Sequence, residues 1–154
     1  MIEDRLKELQ LTLPPAPPAG GIYHSVVITG NTLYVSGQGP MNLDGTLIKG
    51  KVGKDLTTAE AKLAARQVGL TMLATLKDAI GDLGKIKRLL KTLGMVNCTL
   101  DFDEQPQVIN GFSELFVELL GEENGKGARS AVGMILPGKI AVEIEAIFEL
   151  HEMV

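Results

Sequence analysis

The segment Lys139–Leu150 constrains this chain more than any other. From Val142 onward, Val142, Ile144, Ala146, Phe148 and Leu150 alternate with Glu143, Glu145, Ile147 and Glu149. Side chains on a strand point alternately to its two faces, so this segment reads as a strand with one face in a core and a mixed face outside it. Three glutamates on that second face repel one another, so the face must meet water or a basic partner. The rest of the chain must supply a layer to cover the apolar face.

That layer is legible upstream. Residues 57–81 predict a long helix. Thr57 with Glu60 three residues on has the spacing of a capping box, Ala61, Ala65, Val68, Met72, Leu76 and Ala79 form one stripe, and Gly81 stops it. A second helix begins near Pro106, carries Val108, Ile109, Phe112, Leu115, Phe116, Leu119 and Leu120, and ends at Gly121, with residues 122–127 as a loop. Strands are expected at Ser25–Thr29 and Thr32–Ser36, joined by Gly30-Asn31 as a hairpin. Thr46–Ile48 reads as a short strand and residues 86–101 as a long one. Ala128–Leu136 and Lys139–Leu150 read as a closing hairpin around Pro137-Gly138. Ahead of all this lie a short amphipathic helix over residues 2–10 and a proline-rich lead-in, Pro14–Gly21, in which no helix can continue. The whole reads as one α+β domain over residues 1–154, with residues 1–20 as helix and lead-in and two helices packed on one face of a mixed sheet.

Composition narrows the chemistry. One cysteine, Cys98, permits no intrachain disulfide, and two histidines, His24 and His151, leave no multi-histidine metal site. No cofactor is expected. The net charge of −4, the absence of tryptophan and only two tyrosines and four phenylalanines disfavour nucleic-acid binding. No apolar run reaches membrane-spanning length and the first ten residues are charged, so a cytoplasmic location is expected.

Three features remain for chemistry. Arg129, after the glycine-rich loop, has a guanidinium that suits a carboxylate, although an exposed surface arginine is the default reading. One glutamate of the last strand can activate water, although a solvated strand face is the default there. Ser36-Gly37-Gln38-Gly39-Pro40, with Tyr23 nearby, lets backbone approach a ligand closely, or is simply a turn. Period-2 parity in the expected closing hairpin puts Arg129 on the same face as Glu143 if the connection is odd, as with Pro137-Gly138-Lys139. A two-residue Pro137-Gly138 turn would instead put it with Val142 and Ile144, buried and unpaired at serious cost, so the shared face is the expectation.

Taken in order, Tyr23, LYVSGQGP (Leu33–Pro40), PQVINGF (Pro106–Phe112), ARSAVG (Ala128–Gly133) and VEIEAI (Val142–Ile147) resemble the Rid family, also called the YjgF family, over roughly residues 20–150. The N-terminal helix and the segment GKVGKDLT (Gly50–Thr57) look like its longer, little-characterised branch. The resemblance implies a chorismate-mutase-like fold and a closed homotrimer with clefts between subunits. It also implies an enzyme that hydrolyses reactive enamines and imines, such as 2-aminoacrylate, to 2-keto acids and ammonia. By the same resemblance Arg129 binds the substrate carboxylate and Glu143 positions water. Tyr23, Ser36, Gly37 and Asn110 then line the cleft, and Ala131 stands where the archetypal branch has cysteine, its backbone carbonyl still able to accept from a substrate nitrogen. The alternatives are a non-catalytic trimer that binds a small carboxylate or keto acid and, less favoured by the acidic charge, an endoribonuclease.

Overall fold

A computed structural model describes residues 1–153; Val154 lies outside the described residues. The elements run α1 (Ile2–Glu8), β1 (Val26–Thr29), β2 (Thr32–Gln38), α2 (Thr58–Ile80), β3 (Ile86–Asn97), α3 (Gln105–Gly125), β4 (Ala128–Met134) and β5 (Val142–Leu150). The five strands form one sheet in the order β1-β2-β5-β3-β4. Helices α2 and α3 cover one face of it, as expected for an α+β chain, and the core fills the space between.

Local chemistry places the elements. Thr57 accepts the Glu60 N–H and the Glu60 carboxylate accepts the Thr57 N–H, so the capping box is closed on both sides. Gly81 ends α2 at φ +78. The β1–β2 hairpin forms as expected, with Thr29 opposite Thr32 and Gly30 at φ +59. The expected strand at Thr46–Ile48 is reduced to isolated bridges, Met41 to Leu47 and Lys49 to Ile140. Gly121 breaks the helical path of α3 at φ +84 and ψ 168, but the chain resumes a helical turn to Gly125, so the expected loop over 122–127 is mostly helix. Among the described residues no helix is long and apolar enough to cross a membrane.

The closing hairpin does not form. β3 lies between β4 and β5, pairing β5 antiparallel and β4 parallel. Parallel neighbours need a long crossover, and α3 supplies it. The connection from β4 to β5 contains a short 3-10 turn at Pro137–Lys139 and carries the chain past β3 rather than straight back. β4 is almost wholly exposed and holds a sheet edge, while β5 is paired on both sides. The expected shared face for Arg129 and Glu143 falls with the hairpin. Thr92 of β3 stands beside both Arg129 and Ala146, which puts Arg129 on the helix-covered face, whereas Glu143 stands beside Met95 on the opposite one.

Helix α3 seats against its neighbours through glycines. A Cβ at Gly94 would lie 2.6 Å from Ile109 side-chain atoms, and one at Gly69 would lie 2.6 Å from a Leu115 methyl. A Cβ at Gly111 would stand 2.0 Å from the backbone carbonyl oxygen of Lys62. That oxygen belongs to α2 and cannot swing aside. Gly111→Ala is therefore expected to cost about 2 kcal/mol or more, overpacking outweighing alanine's helix preference of ~1 kcal/mol. Gly69→Ala meets only the end of a flexible side chain and is expected to stay within about 1 kcal/mol of wild type by the same balance. Urea denaturation midpoints of the two variants check this; equal losses would show that the α2–α3 contact yields at the backbone.

Candidate functional site

The sequence-expected residues fall into two groups on opposite faces of the sheet, with Ser36 apart. The first is centred on Arg129. Its Nη1 donates to Asn110 Oδ1 at 2.8 Å and to Ser113 Oγ at 3.1 Å, both on α3. Asn110 and Ser113 are three residues apart and so share a face of that helix. Both anchors are neutral, and no carboxylate among the described residues pairs with the guanidinium. A cation fixed by neutral acceptors keeps its charge for a ligand. Ala131 follows two residues later on the same face, half-buried, and packs against the core beside Gly94. Ser113 was not foreseen; its i, i+3 spacing from Asn110 is the signal that points to it.

The second group is centred on Glu143. Its side chain lies over Gly37, where a Cβ would stand 2.6 Å from the carboxylate oxygen, so any larger residue there would displace the Glu143 carboxylate from this position. A bulge prepares the spot. Val35 pairs with Ala146 and Gln38 with Ile144, leaving Ser36 and Gly37 together opposite Glu145. Gln38 fixes the bulge from the helix side. Its buried amide accepts from Thr75 Oγ1 at 2.9 Å on α2 and donates to the Ser36 carbonyl at 3.2 Å. The sequence singled out SGQGP without separating Gln38's anchoring role from the glycines' role. Glu143, Gly37 and Tyr23 line one cavity of about 360 Å³, which Pro17, Pro18 and Lys49 also wall. The Tyr23 phenol oxygen accepts the Gly20 N–H at 2.9 Å, tying the lead-in to this wall. Burial raises the Glu143 carboxyl above its ordinary value, and the charge of Glu145 adds to the effect. A carboxylate displaced in that direction holds a proton more firmly and is a better base once ionised.

Ser36 joins neither group. Its Oγ donates to the His24 carbonyl at 2.7 Å, and it borders a separate cavity of about 440 Å³ on the helix-free face, beside Tyr34, Lys91, Ser130 and Glu145. Of the three glutamates on that face, Glu149 pairs with Lys87 at 3.0 Å, Glu145 is exposed and Glu143 is half-buried. Alternation in the sequence placed all three on one face and left their environments unresolved.

A model of the family described as "YjgF/chorismate mutase-like, putative endoribonuclease" matches residues 3–140. Protein TCP17 of Trypanosoma cruzi is 41% identical over 147 residues, covering 95% of this chain and 92% of that protein. The crystal structure of Atu1372 from Agrobacterium tumefaciens, a protein of unknown function, superposes with a TM-score of 0.86 at 47% identity, covering 97% of this chain and 91% of that one. A structure from Shewanella oneidensis named a putative endoribonuclease superposes with a TM-score of 0.92 at 33% identity, covering 97% and 99% of the two chains. With the sheet order, the two covering helices and the Arg129 and Glu143 strands on the same chain, these matches close the question of kinship: the chain belongs to the YjgF, or Rid, family.

Proposed function

We propose that this chain is a cytoplasmic enzyme that hydrolyses reactive enamines and imines of the 2-aminoacrylate type to 2-keto acids and ammonia, working as a closed homotrimer. The observation that carries the reading is Arg129, a guanidinium held by Asn110 and Ser113 and paired with no carboxylate among the described residues. Such a group takes both oxygens of a 2-imino acid's carboxylate at once. An imine carbon is already electrophilic, so water suffices as nucleophile once the substrate is oriented. Glu143 takes a proton from the attacking water, giving a carbinolamine. Proton transfer to its nitrogen then expels ammonia and leaves the keto acid.

The opposition of faces favours a site shared between copies. Within one chain the Arg129 and Glu143 groups lie on opposite sides of the sheet. Arg129 stands on an exposed edge strand, available to a neighbouring copy. On the helix-free face Val27 and Tyr34 near one edge and Val132 and Met134 on the other remain exposed, apolar surface that cyclic symmetry would cover. The non-catalytic alternative uses the same arginine and differs only in turnover. The endoribonuclease named for the Shewanella oneidensis protein is the other alternative, tested by RNA cleavage in the same preparation.

Three outcomes are expected. Sedimentation at micromolar concentration gives three times the chain mass; a mass near one chain overturns the shared site. Arg129→Ala lowers ammonia release from imino acids generated in situ by at least about a hundredfold, since each charge-assisted bond is worth ~1.5–3 kcal/mol, and Arg129→Lys restores only part of it. Equal rates in wild type and Arg129→Ala, with circular dichroism unchanged, remove Arg129 from the reaction. The third outcome concerns pH. Catalysis needs Glu143 ionised, so kcat/KM rises with pH through an acid limb above the ordinary carboxylate range. Stability moves the other way. The folded chain holds the Glu143 proton to higher pH than the unfolded one, so ionisation of this group lowers stability as pH rises through that interval. Glu143→Gln therefore loses activity yet unfolds at a higher temperature than wild type at neutral pH, and the difference vanishes below the carboxylate range. A lower unfolding temperature for the variant at neutral pH would contradict the assignment.

A further inference from the structure

The segment after β2 builds a cavity that the proposed reaction does not use. Lys49–Val52 threads between the β4–β5 connection and the end of β3. The Gly50 N–H donates to the Lys139 carbonyl at 3.0 Å, and the Val52 N–H to the Asn97 carbonyl at 2.8 Å. The buried Asn97 amide donates to the Gly50 carbonyl at 3.3 Å. Held this way, the segment walls a cavity of about 650 Å³, larger than the one beside Glu143 and inside the range of small-molecule sites. Four lysines line it: Lys49, Lys51, Lys54 and Lys139. Among the described residues none of the four is in an ion pair. The single lining carboxylate, Asp55, is engaged locally, its Oδ2 accepting the Lys51 N–H at 2.8 Å.

All four lysines are exposed, so this opening concentrates positive charge on a chain whose net charge is −4. Lys139 also adopts φ +58, a left-handed conformation that glycine or asparagine takes at lower cost. We propose that this cavity binds a small phosphate-bearing anion. Ammonium groups act as point charges and suit the dispersed charge of a phosphate, whereas no arginine is present to fork a planar carboxylate. No aromatic side chain lines the cavity, so it lacks the stacking platform on which a single-stranded RNA would rest. Lys49 lies in the wall shared with the Glu143 cavity. The inference does not depend on imine hydrolysis.

The test is a titration of the full chain with sodium pyrophosphate at constant ionic strength, followed by backbone amide shifts. Saturable shifts are expected in residues 49–55 and 136–140, with a raised unfolding temperature. The double substitution Lys51→Gln and Lys54→Gln weakens binding at least tenfold, and Lys139→Asn, whose backbone the left-handed turn tolerates, weakens it severalfold. Lys126→Gln, in the loop after α3, leaves it unchanged. Shifts that rise linearly, that sodium chloride reproduces, or that persist in both lysine variants overturn the proposal. So does tight binding of an oligouridine by a protein indifferent to pyrophosphate. None of these readouts involves ammonia release, so failure here and failure of the imine reading are separate results.

Discussion

Everything about Arg129 depends on how closely α3 lies against its neighbours. Ile109 settles over Gly94 of β3, Gly111 meets the backbone of α2 at Lys62, and Leu115 fills the space over Gly69. These contacts fix α3 at backbone distance on two sides, and Asn110 and Ser113 sit within the same stretch. Their oxygens therefore reach Arg129 from a helix that has little freedom to shift. A larger residue at Gly111, which meets backbone rather than a side-chain end, would lift the helix and move both acceptors together. Packing density, usually discussed as stability, here sets the orientation of the one arginine that is held ready for an anion.

Much of the fold was legible because it is local. The alternation of β5, the capping box of Thr57 and Glu60, the stop at Gly81 and the Gly30-Asn31 turn each concern residues within one turn or one strand. What failed was pairing. β4 and β5 follow one another and look like a hairpin, but nothing in ARSAVGM says which strand it will join. Its residues are exposed and it carries little apolar preference for either face. The parallel place beside β3 opens only because α3 is long enough to return the chain, a property of the assembled layer. The error propagated into the site. Parity arguments hold between adjacent strands, and the intervention of β3 reverses the face of Arg129 relative to Glu143. The sequence names Glu143, Gly37 and Tyr23 singly, whereas the cavity that brings them together and the bulge beneath Gly37 depend on pairing. Glycine 121 read as a stop and acts as a break, because a positive φ interrupts a helix without preventing another turn.

The charges show how little net charge says about a surface. The chain is acidic overall, yet some of its cations pair across elements and others do not. Lys62, Arg66 and Lys87 meet Glu114, Glu118 and Glu149 across elements, exposed or partly exposed pairs of a kind worth ~0–1 kcal/mol each. Arg129 and the lysines around residues 49–54 and 139 are left without acidic partners among the described residues. Arg129 lies on the sheet edge and the four lysines line one cavity, while the three cross-element pairs lie where helix meets helix or strand meets strand.

The position of β5 carries a consequence for how the chain reaches this state. The strand latest in sequence occupies the centre of the sheet, with Val35 of β2 against Ala146 on one side and Thr92 of β3 against Ala146 on the other. More than a hundred residues separate Val35 from its partner. Until β5 arrives, the β1–β2 hairpin and the β3–α3–β4 unit have no sheet contact with each other. Such closure makes the contact order high and the search slow, since chain entropy is spent before the pairing returns it. During that interval β2 and β3 each present an open strand edge. The same central strand that organises the native sheet thus leaves any chain in which β5 has not yet docked open to mispairing with other copies, and the window of that risk is set by the rate at which β5 docks.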